Sequence, residues 1–188
     1  MFTNYLDSDV EVIKKFDDLL SLPYFIGTEY NNKRIEAAIF GSEKKSQWLS
    51  ITMEYYNNRA FVKEDGNFDM VILPTIMKSR IELIKDITIM EDSQVNEVDL
   101  FLKNKDSFFL FPFEYFSPKN IETTKISKPK NTYTVNHFSS SWMPFISKLR
   151  RSTIQAIGLH QTEKIISFLR LRKLRISLKS VWSKYSSN

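Results

Sequence analysis

The sequence predicts an α/β fold, and three observations predict it. Short runs rich in β-branched and aromatic residues, at 24–30, 35–40, 69–73 and 108–118, alternate with segments whose apolar residues recur at helical spacing. Turn-forming residues, among them Pro23, Asn31-Asn32, Gly41, Asn57-Asn58, Pro74, Pro112 and Pro118, fall between those runs. The 188 residues are 42% hydrophobic and 26% charged, which suits one soluble domain with a sizeable core.

Taken in order, the chain first runs through an apolar approach into Asp7-Ser8-Asp9. Extended backbone is expected there, which would put both carboxylates on one face. Residues 13–22 carry Phe16, Leu19 and Leu20 at helical spacing and are stopped by Pro23, so a short helix is expected. Residues 24–30 read as a strand, 31–34 as a turn, and 35–40 as a second strand closed by Gly41. Ser42 is placed to cap a helix bearing Trp48, Leu49, Thr52, Met53, Tyr55 and Tyr56, a stripe that reads as core.

Residues 69–73 read as a further strand, and Pro74 opens a helix carrying Ile76, Met77, Ile81 and Ile84. The polar stretch 91–106 reads as a loop with a short strand around 98–101. Six aromatic residues between 108 and 118 predict a buried strand leaving through a rigid Pro-bracketed turn. A Lys- and Thr-rich linker at 121–131 leads to a strand at 132–137. The remainder is helical in pattern and interrupted near Gly158.

Charge divides the chain. Residues 148–188 hold ten of the 27 Lys and Arg but one of the 22 acids, Glu163; residues 1–147 are left with 17 basic and 21 acidic side chains, a net −4 within a total of +5. Two domains are expected on this basis: a mildly acidic body at 1–147 and a basic amphipathic helical tail at 148–188. The tail suits packing on the body combined with peripheral contact to anionic lipid. A nucleic-acid partner is not expected, since the charge comes without a recognisable binding motif. There are no cysteines, which removes disulfides, thiolate catalysis and zinc–thiolate sites. No apolar run reaches the roughly 18 residues of a membrane span, and the start lacks the pattern of a signal peptide, so a cytoplasmic location is expected, peripheral to the inner face of the membrane.

Asp7 and Asp9 are hard oxygen ligands that suit Mg²⁺ or Mn²⁺ with positions left open for phosphate oxygens. An isolated Asp-x-Asp more often marks a solvated turn, so the pair needs support from elsewhere. A haloacid-dehalogenase-type phosphatase wants Thr or Val where Glu11 stands. A calcium loop beginning at Asp7 fails at Val12 and Asp18, which hold its Gly and Glu positions. His137 on its own reads as a hydrogen-bonded structural residue.

Four separated pieces change that balance: Tyr5-Leu6-Asp7-Ser8-Asp9-Val10-Glu11-Val12, Phe25-Ile26-Gly27-Thr28-Glu29, Glu114-Tyr115-Phe116-Ser117-Pro118 and Asn136-His137-Phe138-Ser139-Ser140-Ser141-Trp142. In this order, over residues 5 to about 145, they resemble glycosyltransferase family 32, the DXD-motif enzymes of capsular polysaccharide synthesis and eukaryotic mannosyl transfer. The resemblance implies the carboxyl-terminal portion of a GT-A fold. It also implies metal-dependent, retaining transfer from a nucleotide-sugar donor to a glycan or lipid-linked acceptor in cell-surface polysaccharide synthesis. By the same resemblance Asp7 and Asp9 are the catalytic pair. Asp7 would meet the ribose or donor sugar and Asp9 the Mn²⁺ or Mg²⁺, while His137 would complete the metal site or contact the diphosphate. Ser140, Ser141 and Trp142 would contact the diphosphate, as a serine and a tryptophan do in the related clostridial glucosylating toxins.

There are departures from the family pattern. Family members carry a strand and helix with an Asp and an Arg, ending in Gly-Gly, ahead of the DXD; here Phe2-Thr3-Asn4 stands in place of the glycines. An amino-terminally truncated member is therefore expected. Asn136 replaces a second His and Ser140 a Gly. The alternative from another class is a non-catalytic remnant or interaction module that retains part of the fold.

Overall fold

The computed structural model describes residues 2–32, 34–120, 123, 125–139 and 145–168. They form a mixed α/β architecture of small sheets and short helices. Two compact units can be distinguished, one made of residues 1–119 with 126–139, the other of 120–125 with 140–188.

In the first unit β1 (Phe2–Leu6) is followed by a turn and by β2 (Val10–Val12). The helix expected over 13–22 is reduced to one 3-10 turn, Asp17–Leu19. The cause is competition for the backbone: the N–H groups of Ile13 and Lys14 both donate to the Tyr133 carbonyl, at 2.8 and 3.1 Å, and are lost to any helix. Leu19 and Leu22 still reach the core and are fully buried. Then come β3 (Tyr24–Thr28), a 3-10 turn at Tyr30–Asn32, and β4 (Ile35–Glu43). Both β1 and β3 pair antiparallel with β4, giving the order β1-β4-β3.

Gly41 and Ser42, expected to end the strand and cap the next helix, lie inside β4. Gly41 faces Asn4 on one side and Phe25 on the other, and Ser42 faces Thr3 and Tyr24. The missing side chain at 41 leaves room for the stacked rings of Phe2 and Phe25. The N-cap position passes to Ser46, ahead of α1 (Gln47–Glu54). The aromatic stripe is only half core: Trp48 and Thr52 are buried, whereas Met53 and Tyr56 are exposed.

Pro74 lies in the first turn of α2 (Leu73–Ile81), which buries Ile76, Met77 and Ile81. No strand forms at 69–73. Instead Val62 bridges Phe68, and the Asp69 N–H bonds the Phe61 carbonyl, so the local pairing is spent on a small hairpin tip. The strand β5 (Asp86–Ile89) was not foreseen. A helix, α3 (Val98–Lys103), replaces the strand expected around 98–101, because Phe101 turns inward to meet Tyr24 and Phe109 edge-on. Next, β6 (Ser107–Leu110) runs parallel to β5, and Pro112 precedes the single turn α4 (Phe113–Phe116). Finally β7 (Thr134–Asn136) pairs antiparallel with β2.

The three-stranded sheet meets the β5–β6 pair at one parallel bridge between Gly27 and Phe111. There the Phe111 N–H reaches the Ile26 carbonyl at 2.9 Å and the Thr28 N–H reaches the Phe111 carbonyl at 3.0 Å. Buried aromatic rings fill the space around this joint: Phe25 stacks on Phe116 at 5.5 Å, and Tyr24 lies flat on Phe108 at 4.5 Å. The β4 strand is buried along nearly all its length, as befits a strand covered on both faces.

In the second unit α5 (Phe145–Ile157) and α6 (Leu159–Phe168) are separated by Gly158, whose φ of 83° ends the first helix in the left-handed region. Arg150 of α5 pairs with Glu163 of α6. Among the described residues no helix is long and apolar enough to cross a membrane.

The joint at Gly27 yields a test. A Cβ built there would lie 2.7 Å from the Phe116 ring and 3.3 Å from the Phe111 carbonyl oxygen. Gly27→Ala is therefore expected to lower stability by about 1–3 kcal/mol through overpacking, read as a lower urea midpoint at unchanged slope.

Candidate functional site

The first candidate residues sit on a turn. The ladder between β1 and β4 carries on one step past Leu6, with the Asp7 N–H donating to the Ala38 carbonyl at 2.9 Å. The Val10 N–H then closes back on the Asp7 carbonyl at 3.2 Å, leaving Ser8 and Asp9 at the centre of the turn. Extended alternation therefore does not place Asp7 and Asp9 on one face; they share a turn instead. The Asp7 Oδ1 accepts the Tyr5 hydroxyl at 2.6 Å, and the Tyr5 ring is held by stacking on Phe40. That bond to the carboxylate, helped by burial, raises the Tyr5 phenol above its ordinary value.

The pairing of β2 with β7 brings the distant end of the site to this turn. With Val10 opposite Asn136, Asp9 falls beside His137, whose N–H donates to the Asp9 carbonyl at 3.1 Å. Two residues on, the Ser139 N–H donates to Asp9 Oδ2 at 2.7 Å. Partial burial opposes ionisation of Asp9. The Ser139 backbone and hydroxyl groups and the nearby His137 outweigh it and hold the carboxyl below the usual range. Asp9 and His137 thus meet, although 127 residues lie between them.

The imidazole itself is engaged elsewhere. His137 Nε2 lies 2.9 Å from Glu11 Oε2, the diagonal neighbour across the β2–β7 ladder. Glu11 also meets Lys128 at 3.4 Å, and the Lys119 ammonium donates to the His137 carbonyl. Hydrogen bonding by His137, then by Lys128, holds the Glu11 carboxyl below its ordinary value. Glu11 was not singled out from the sequence, yet a signal existed: Asp7-x-Asp9-x-Glu11 continues the spacing of two.

Among the described residues no three His, Asp or Glu side chains converge as a metal-ligand set. The donor set does suit a hard divalent ion held largely by a ligand's phosphates. Asp7 accepts the Tyr5 hydroxyl and Asp9 accepts from Ser139, each at a carboxylate able to accept about four donors. His137 would join such a set only by opening its pair with Glu11 or by using Nδ1. Ser140, Ser141 and Trp142 lie outside the described residues.

Behind this site the structure holds a carboxyl that the sequence reading passed over. Glu36, on β4, is 1% exposed; its Oε1 accepts the Ala38 N–H at 3.0 Å and the Asn136 amide Nδ2 at 3.1 Å. The Ser117 hydroxyl is a neighbour, but neither Ser117 Oγ nor Glu36 Oε2 has a partner of good hydrogen-bonding geometry. Burial pushes the Glu36 carboxyl up to about 7, against the hydrogen bonds and with a small push from Glu29. Its sequence signal was an acid inside the apolar run Ile35-Glu36-Ala37-Ala38-Ile39. Glu29 is also buried and raised by that burial, with Arg34 opposing from 4.0 Å.

A cavity of about 290 Å³ lies at the far end of β4, walled by Tyr24, Trp48 and Phe108 with Lys44, Lys45 and Lys85 also lining it. It shares none of the Asp7, Asp9 or His137 surface.

No family model, no curated protein and no solved structure matches this chain. Its chemistry is read from the geometry above.

Glu36 makes a pH-dependent contribution whose sign is fixed. Between about 4.5, its ordinary value, and about 7, the folded chain keeps a proton that the unfolded chain has released. The contribution favours folding fully below pH 4.5 and is lost as pH rises through 7, on the order of 3 kcal/mol across the window. Urea unfolding of the wild type and of Glu36→Gln from pH 4.5 to 8 should show the variant gaining on the wild type by that amount. A difference independent of pH would show that Glu36 titrates normally.

Proposed function

We propose that this chain is a metal-dependent, retaining glycosyltransferase of the GT-A type. It would transfer a sugar from a nucleotide-sugar donor to a glycan or lipid-linked acceptor in the making of capsular or other cell-surface polysaccharide. The reading starts from the resemblance to glycosyltransferase family 32. One observation carries it: the first and last pieces of that resemblance are joined, with the His137 N–H on the Asp9 carbonyl and the Ser139 N–H on the Asp9 carboxylate.

In this reading a bound Mn²⁺ or Mg²⁺ supplies Lewis-acid neutralisation of the departing diphosphate. The chain's own residues do the rest. Asp9, whose carboxyl is held below its usual range, would hold the ion together with His137. Asp7, two residues back on the same turn, would accept from hydroxyls of the ribose or donor sugar. Ser140, Ser141 and Trp142 follow directly after Ser139 in the chain and offer neutral donors to the phosphate oxygens.

The basic stretch 148–188 suits peripheral contact with the inner, anionic face of a membrane, where lipid-linked acceptors lie. Leu149, Ile157, Ile165 and Phe168 are exposed among its basic residues, which supports an interfacial role. Binding to vesicles containing phosphatidylserine, and its loss both with neutral vesicles and at 0.5 M salt, is the expected result of a sedimentation assay.

A second reading, a non-catalytic interaction module, is favoured by the engagement of His137 Nε2 with Glu11. Thermal unfolding separates the two. With Mn²⁺ and a nucleoside diphosphate at about 100 times its Kd, Tm should rise by about 5–10 °C. The metal-dependent part of that rise should vanish in Asp9→Ala. If neither uridine, guanosine nor adenosine diphosphate raises Tm with Mn²⁺ or Mg²⁺, the interaction module is the correct reading.

A further inference from the structure

A carboxyl inside β4 is expensive. Glu36 is flanked by Ile35, Ala37, Ala38 and Ile39, all buried, and its Oε2 has no hydrogen-bond partner. An apolar residue or a glutamine would fill the same space at lower cost, so packing alone does not account for it.

Its contacts point toward Asp9. Glu36 Oε1 receives the Asn136 Nδ2, which fixes which way round the Asn136 amide sits. With its nitrogen turned to Glu36, the Asn136 Oδ1 is turned to the Phe138 N–H and accepts it at 2.9 Å. That bond spans a residue pair whose second member, Phe138, has a φ of 47°, in the left-handed region that non-glycine residues rarely adopt. The next N–H, that of Ser139, is the one that donates to Asp9 Oδ2. A continuous chain of contacts therefore runs from a buried carboxyl on β4, through the last residue of β7, to the half-buried carboxylate of Asp9. Asn136 takes part in two of these links, so loosening its bond to Glu36 weakens the hold on the loop that carries Ser139.

We propose that Glu36 is a positioning residue for the Asp9 site: by orienting the Asn136 amide it holds the 137–139 loop in the conformation that sets Ser139 N–H against the Asp9 carboxylate. Glutamine at 36 keeps an acceptor in the same place and preserves the arrangement. Leucine removes the acceptor, leaves the Asn136 amide without its Glu36 partner, and weakens the bond that Asn136 makes to the Phe138 N–H. The consequence for donor binding rests on the glycosyltransferase reading; the positional role does not.

The test uses the full chain and two readouts. The first is the Ser139 amide proton in NMR spectra of the wild type, Glu36→Gln, Glu36→Leu and Asp9→Asn. Its bond to a carboxylate should place it downfield in the wild type, and Asp9→Asn identifies that contribution. The resonance should stay in place in Glu36→Gln and move upfield in Glu36→Leu, while β3 and β4 amides hold their positions. Should Glu36→Leu fail to fold, Asn136→Ala breaks the same chain at its middle and should move the resonance in the same way. A Ser139 resonance unmoved in the folded variant overturns the proposal, and so does an equal displacement in Glu36→Gln. The second readout is the affinity for Mn²⁺ with the nucleoside diphosphate that stabilises the wild type. It should fall about 10-fold or more in Glu36→Leu and be kept in Glu36→Gln. Absence of binding by the wild type itself would defeat the glycosyltransferase reading and leave the NMR result to decide the role of Glu36.

Discussion

The three-residue pairing of β2 with β7 is the constraint on which the rest of the first unit depends. It joins segments separated by about 120 residues, and closing a loop of that length costs on the order of 4 kcal/mol before any contact repays it. Three residues of ladder are a thin return. The pairing is backed by Tyr133, which is 2% exposed and sits just ahead of β7. Its carbonyl takes the Ile13 and Lys14 N–H groups, its ring packs against Phe16 and Phe116, and its hydroxyl donates to Asp18 at 2.6 Å. Lys14 lies over the same ring and completes the clamp. Tyr133 thus fastens both chain segments to the aromatic core, and the ladder beyond it sets the register that brings His137 to Asp9.

The core and the site are linked by polar groups as well as by packing. Asn136 ends β7 with its side chain inside, and Thr134, two residues earlier, donates its hydroxyl to the Phe116 carbonyl at 2.9 Å. The same strand is therefore anchored on one side to the aromatic joint at Gly27 and Phe111, and on the other to Glu36. Exposed charges contribute less. The Glu11, His137 and Lys128 cluster lies at the surface, where solvent screens such pairs and leaves them little net stabilisation. Its effect is on orientation: it decides where the imidazole points.

The arrangement around Asp9 divides between two chain segments. The carboxylates sit on a turn anchored by β1 and β2, and the donors are carried by the chain that leaves β7. The β2–β7 ladder joins the two, and at Asp9 itself the backbone N–H groups of His137 and Ser139 complete the lock. A site built across such a seam is sensitive to what lies beneath it, which is where the buried carboxyl of Glu36 gains its importance.

Much of this was legible in the sequence. The runs at 24–30, 35–40, 108–118 and 132–137 are strands or contain them, because aromatic and β-branched residues between turn formers leave few alternatives. Pro74 marked the start of α2 and Gly158 the break between α5 and α6 through backbone restrictions that act locally. The resemblance carried by four separated pieces implied that Asp9 and His137 belong together, and their backbones do meet. What only the tertiary structure decided are the features set by distant partners. Residues 13–22 have a helical pattern, but Tyr133 takes the backbone N–H groups a helix would need. Phe101 chooses a helix over a strand to meet Tyr24, and Gly41 continues β4 because two rings occupy the space it leaves. The engagement of His137 with Glu11 and the burial of Glu36 follow from strand register. Register depends on which residues lie opposite one another, and a linear pattern of residue types does not contain that information.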